Sequence, residues 1–233
     1  MSSSNAKIIL LVCIVQVLSI SFNISLAQEP SATNKNFLTN RSKNCLKSLN
    51  NGILFVRLSS QAKKIQILES AINNSQISSK DKLKNSKRLK SVLESRNRFH
   101  SAFIRSMKQY YKFSKVYFYY DYEQKKLNSS DIRQIRFLDE NLNPTVLLDT
   151  LPTFYMILKQ DKTRESGLEA FIFVDQEQSK MFKPFPDQFR IYPLNSMLTG
   201  LYHEPAATMK RCDLIVKNIQ KKLSLAFQSV NTN

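Results

Sequence analysis

Two hydrophobic patterns alternate along this chain: unbroken apolar runs of strand length, and stretches in which apolar residues recur every three or four positions. The first suits strands buried on both faces, the second amphipathic helices. Ile53 to Leu58 and Val116 to Tyr120 are runs of the first kind. Helical spacing appears four times. From Asn36 to Asn50 it places Leu38, Cys45, Leu46 and Leu49 on one side, and Gly52 follows as a residue that tolerates a left-handed helix end. Ser59 and Ser60 are natural N-cap residues for a second helix, whose stripe is Ala62, Ile65, Leu68 and Ile72. After a break from Asn73 to Ser79, a long basic helix spans Lys80 to Lys112 with Leu89, Val92, Leu93, Phe99, Phe103, Met107 and Tyr110 on its stripe. A closing helix has Pro205 in its first turn, runs to about Val230, and buries Met209, Cys212, Ile215, Ile219, Leu223 and Phe227.

Shorter elements lie between these. Asn128 to Asp131 reads as the cap of a short helix, Ile135 to Leu138 as a short strand, and Asn143-Pro144 as a turn. Phe154 to Leu158 and Phe171 to Val174 flank a polar link containing Gly167, which predicts a hairpin. Met181 to Phe185 and Phe189 to Tyr192 are shorter candidates; Pro184, Pro186 and Pro193 favour edge positions, and Lys183 to Pro186 also reads as a turn. The order predicts a single α/β domain over 36–233. Its mixed β-sheet, parallel first and antiparallel later, is flanked by helices, among them the long basic helix and the C-terminal one.

The pattern ahead of that domain differs. Met1 to Ala27 carries Lys7, an apolar run from Ile8 to Ile20, and small residues at Ser25 and Ala27. This predicts a cleavable signal peptide over 1–27, a flexible leader over 28–35, and a periplasmic or secreted protein without a membrane-spanning segment in its mature chain. Composition sharpens the picture through charge. The chain has a formal net charge of +17, and the excess is lopsided: Pro30 to Lys115 holds 19 Lys and Arg against Glu69, Asp81 and Glu94. The remainder is nearly balanced. Scarce Gly and abundant Lys, Asn, Ile and Phe are also what A/T-rich codons produce, but that bias predicts even enrichment, not an asymmetry.

Cys45 and Cys212 remain after cleavage, and an oxidising compartment makes them disulfide candidates, with two separately buried thiols as the alternative. No CxxC is present, so dithiol redox chemistry and structural zinc are disfavoured.

The Gly52–Leu58 run, the Lys-rich helical region, Val116–Tyr120, and Phe171–Asp175 followed by Lys183–Pro186 resemble an uncharacterised group of exported Bacteroidetes proteins. The resemblance covers most of the mature chain and implies a compartment, with no assigned activity. The element order also resembles a thioredoxin-like layout, with Leu151-Pro152-Thr153 ahead of a strand, in shape alone.

Candidate chemistry is sparse. Arg57 ends a strand ahead of Ser59 and Ser60 at a helix start, a combination suited to a phosphate or carboxylate; the alternative is an Arg paired with Asp121 or Asp149. Lys84, Lys87, Arg88 and Lys90 lead the basic helix, whose face suits an anionic envelope surface or polysaccharide, or is simply solvated. Export disfavours nucleic acid. His203-Glu204 offers an accessible base, and Asp175 with Glu177 two carboxylates for a cation, but neither makes a catalytic or metal site. No motif implies a cofactor. The leading reading is therefore a non-enzymatic envelope or binding protein; the rival is an enzyme or small-ligand site at the strand ends around Arg57, Asp121 and Asp175.

Overall fold

The computed structural model describes residues 32–128, 134–145, 152–163, 166–186, 188–191 and 204–232. The expected signal segment, Ser129 to Asp131, Asp149, Leu151, Asp187, Tyr192 and His203 lie outside them. Phe37–Asn233 forms one compact unit.

Chain order runs α1 (Ala32–Asn51), β1 (Ile53–Leu58), α2 (Ala62–Asn73), α3 (Ser79–Tyr110), β2 (Lys115–Tyr120), a 3-10 turn (Asp121–Glu123), α4 (Gln124–Asn128), β3 (Phe137–Leu138), β4 (Pro144–Thr145), β5 (Tyr155–Lys162), β6 (Glu169–Val174), β7 (Gln188–Arg190) and α5 (Glu204–Asn231). The main sheet has the order β2-β1-β5-β6-β7, and β3 pairs with β4 separately. β1 is parallel to both β2 and β5; β6 and β7 are antiparallel additions. This is the α/β, parallel-then-antiparallel arrangement that the pattern predicts, and β5–β6 is the predicted hairpin, with Gly167 at φ 62° in its link.

Alternation along the strands sorts the core into two layers. Leu54, Val56 and Leu58, with Phe118, Met156, Leu158, Phe171 and Phe173, face α1, the second half of α3, and α5. Phe55, Tyr119, Ile157, Ile172 and Val174 face the other way, onto Leu127 of α4 and Phe137 of β3. A buried Glu123 ties that second layer together, with Lys126 at 2.6 Å and Arg136 at 3.0 Å.

Several elements depart from their expected form. α1 begins at Ala32, so it takes in part of the segment read as a leader. Gly52 does follow the helix, but not for left-handed freedom. A Cβ placed on it would lie 2.9 Å from Phe154 O and 2.9 Å from Ser48 O, both backbone atoms that cannot swing away. Gly52→Ala is expected to cost about 2–3 kcal/mol by overpacking, read as a lower urea midpoint with an unchanged slope. The N-cap of α2 is Gln61, left-handed at φ 55°, while Ser60 Oγ accepts from Ala62 N–H at 3.3 Å. Met181 to Phe185 is a turn around the cis Lys183–Pro184 bond, not a strand. Pro144, expected in a turn, stands in β4, and the turn before it is organised by Asp139, whose Oδ1 accepts from Asn141 and Asn143 N–H at 2.8 Å each.

α3 is 32 residues long, started by Ser78, whose Oγ accepts from Asp81 N–H at 3.2 Å. Its burial is split. His100, Ala102, Phe103, Ile104, Ser106 and Met107 are buried, but no residue from Gln61 to Phe99 is. α2 and the first half of α3 therefore make a two-helix arm that packs on itself beside the sheet.

Candidate functional site

In the parallel part of a sheet, the carboxyl ends of strands share one edge. The crevice for ligands lies where the connections leaving two neighbouring strands go to opposite faces. Here those neighbours are β1 and β2: the chain leaves β1 through α2 and α3 on the first layer, and leaves β2 through α4 and β3 on the second. A cleft of about 1080 Å³ opens at that edge, lined by Ser59 to Lys64 after β1, Asp121 and Tyr122 after β2, and Arg96, Phe99 and His100 of α3. The β5–β6 end adds Asp161 and Glu169, and α5 adds Arg211.

Its wall is cross-tied. Ser60 N–H donates to Asp121 Oδ1 at 3.1 Å, bridging β1 and β2, and Arg96 Nη1 donates to Ser60 O at 2.9 Å. Arg96 and His100 are one helical turn apart and lie against the same ring: the guanidinium is 5.8 Å and the imidazole 5.7 Å from the Tyr120 centroid. His100 is 2% exposed, and its Nδ1 has no hydrogen-bond partner. Burial, helped by the Arg96 charge, pushes its pKa down from 6.5 to about 3. The imidazole is thus neutral near pH 7. A base that weak moves few protons at that pH, so its chemistry here is hydrogen bonding, not proton transfer.

The residues singled out in the sequence are distributed differently. Ser59 and Ser60 line the cleft. Arg57 does not, because the two-residue period turns it to the second layer, where its Nη1 donates to Gln124 Oε1 at 3.4 Å, an oxygen that also takes the Tyr119 hydroxyl at 2.7 Å. Its expected partner Asp121 is occupied by Ser60. Asp175 cannot join them, since β6 runs antiparallel and ends at the opposite edge of the sheet. There Asp175 and Glu177 do hold a cation, the guanidinium of Arg41, in contact with Asp175 and 2.7 Å from Glu177. Asp175 Oδ1 also accepts from Glu177 and Ser179 N–H, at 3.0 and 2.9 Å. Among the described residues no group of three or more His, Cys, Asp or Glu is placed to hold a metal.

Cys45 and Cys212 sit apart too. Both are free and buried. Cys45 neighbours Arg41 and Asp175 at that far edge, and Cys212 Sγ lies 3.9 Å from Phe99 O beside the cleft, so the bridge weighed from sequence is not formed. They share a helical layer without sharing an end of it. Burial raises both thiols, that of Cys212 up to about 12.

Lys84, Lys87, Arg88 and Lys90 are all exposed on the arm, Lys90 reaching Glu94 at 3.9 Å. Ten Lys and Arg stand between Gln61 and Phe99 against Glu69, Asp81 and Glu94. Where α2 meets α3, Ile67, Leu68 and Val92 floor a groove of about 680 Å³ rimmed by Lys63, Lys64 and Arg88. Ile67 is 60% exposed and Leu83 59%. Among the described residues no helix is long and apolar enough to cross a membrane.

Comparison with known proteins returns no match, whether to a family model, a curated protein or a solved structure.

Proposed function

We propose that this is an exported, non-enzymatic binding protein whose α2–α3 arm docks on an anionic envelope surface. The observation that carries the reading is the arm itself. A stretch with no buried residue contributes little to the core, yet it concentrates cations and leaves large apolar side chains in water. That combination suits an anionic lipid interface, where phosphates meet the Lys and Arg rim and acyl chains meet Ile67, Leu68 and Val92. The apolar floor favours lipid over polysaccharide, because a sugar chain has little to place there. Reading residues 1–27 as a signal places the protein in the right compartment for such a surface.

The test is sedimentation with vesicles containing anionic lipid. The unaltered chain is expected to bind them, to lose most binding in high salt, and to ignore neutral vesicles. At roughly 1 kcal/mol per cation near the surface, reversing Lys84, Lys87, Arg88 and Lys90 to Glu is expected to weaken binding by about 1000-fold. Retention unchanged by the reversal sinks the reading. Binding to an acidic polysaccharide but not to vesicles moves the partner to the sugar.

A further inference from the structure

We infer that the cleft at the ends of β1 and β2 is a second site, adjoining the arm groove and sharing Lys63 and Lys64 with it, and that it takes a small organic phosphate monoester. The phosphate sits at the first turn of α2, and the organic part reaches in toward His100.

Three observations meet there. First, the start of α2 has donors left over. Ala62 N–H goes to Ser60 Oγ, and Ile65 N–H, onto Gln61 O at 3.0 Å, is the first to close a helical turn. The N–H groups of Lys63 and Lys64 between them have no carbonyl in the helix, and the positive end of the α2 dipole points the same way. Lys63 and Lys64 themselves line the cleft as well. Second, His100 lines that cleft, and its Nδ1 is a buried polar atom without a partner. Leaving such an atom unsatisfied is costly, and a ligand hydroxyl or carbonyl that reaches it removes the cost. Third, the size is wrong for a bare ion. About 1080 Å³ is the scale of an organic ligand, and Phe99 and Tyr122 provide apolar wall.

Asp121 is engaged by Ser60 N–H, and Asp161 belongs to the β5–β6 end, 3.6 Å from Lys159, as does Glu169 at the start of β6. A dianionic phosphate gains more than a carboxylate from two ammonium groups and a helix terminus together, which decides between the two anions.

The chain has two histidines, so His100 can be followed directly by side-chain NMR, with a His203→Gln variant to assign it. Titrating the mature protein with glycerol 3-phosphate is expected to give a saturable shift of the His100 ring resonances, with inorganic phosphate binding more weakly. Lys63→Ala/Lys64→Ala, two exposed positions where folding is safe, is expected to weaken the interaction by about tenfold or more. The Lys84, Lys87, Arg88 and Lys90 reversal, which spares the cleft, is expected to leave it unchanged. That control separates this site from the arm, because the four reversed residues lie outside the cleft and the His100 ring is read without vesicles: either reading can fail while the other stands. A His100 ring that does not respond to millimolar glycerol 3-phosphate overturns the inference. So does equal affinity in the double Lys variant, or equal response to a dicarboxylate of similar size.

Discussion

Replacing Phe103 with Ala is expected to remove about 3–5 kcal/mol of folding stability, a large share of the 5–15 kcal/mol typical of a domain. Phe103 is fully buried where α3 crosses the sheet. Its ring stacks on Phe171 of β6 at 4.3 Å between centroids, nearly coplanar at 9°, and on Phe99 at 6.0 Å. Truncation therefore opens a cavity between two elements whose backbones are held by the sheet and by α5, so collapse recovers little. Phe103→Leu, which keeps most of the volume, is expected to cost less than half as much. Urea unfolding followed by circular dichroism checks both. Two small and equal losses would mean that the first layer repacks around this position.

Acid sensitivity is the second large effect, and His100 is its source. The unfolded chain protonates this imidazole near 6.5; in the folded protein, burial and then Arg96 hold protonation off until about 3. Between those values the unfolded state carries the extra proton. Stability thus rises with pH across the window and falls as the solution is acidified. The slope approaches about 1.4 kcal/mol per pH unit, so moving from pH 6.5 to 4.5 is expected to cost roughly 2–3 kcal/mol from this group. Carboxylates add losses at lower pH. The informative quantity is therefore the difference between the unaltered chain and His100→Leu, which is expected to be flatter from pH 6.5 to 4.5 and the more stable of the two at the acid end. Parallel profiles would show that His100 is protonated in the fold.

Much of the architecture was legible because it rests on local periodicity. Ile53–Leu58 and the helical stripes name their own elements, and Gly167 marks a hairpin link that the structure keeps; the cap of α3, Ser78, stands inside the stretch that reads only as a break. What periodicity does not encode is lateral position. Val116 to Tyr120 reads like a central strand yet lies at the sheet's edge: its apolar run reflects cover over its faces, as Tyr117 and Tyr119 find in Phe55 and Phe137 on the second layer, and says nothing of a lateral neighbour. β5 runs on to Lys162 because the hairpin continues pairing past the apolar core, with Asp161 opposite Ala170 and Lys162 opposite Glu169. Met181 to Phe185 is apolar enough for a strand, but two prolines bend it into a turn.

The cleft was half legible. Ser59 and Ser60 stand out at a strand end before a helix. Arg57 misleads, since a strand reverses direction at every residue and the nearest charge points to the wrong face. Arg96 and His100 were missed although the signal was present: Val92, Arg96, His100, Phe103 and Met107 recur at three and four residues, so the two polar members occupy inward positions of an otherwise apolar stripe. A charged residue and a histidine on the buried side of a helix are worth asking about. The clamp of Arg41 on Asp175 and Glu177 joins residues 134 and 136 positions apart and leaves no local trace.

α3 has one further consequence, because it is a single unbroken rod. From Ser79 to His100 it extends about 30 Å, with its root packed on the sheet and its tip in the arm. Such a rod is a lever. One degree of tilt about the root carries the tip through about 0.5 Å at that length. The basic tip therefore sweeps a wide arc while Arg96 and His100, close to the pivot, scarcely leave the Tyr120 ring.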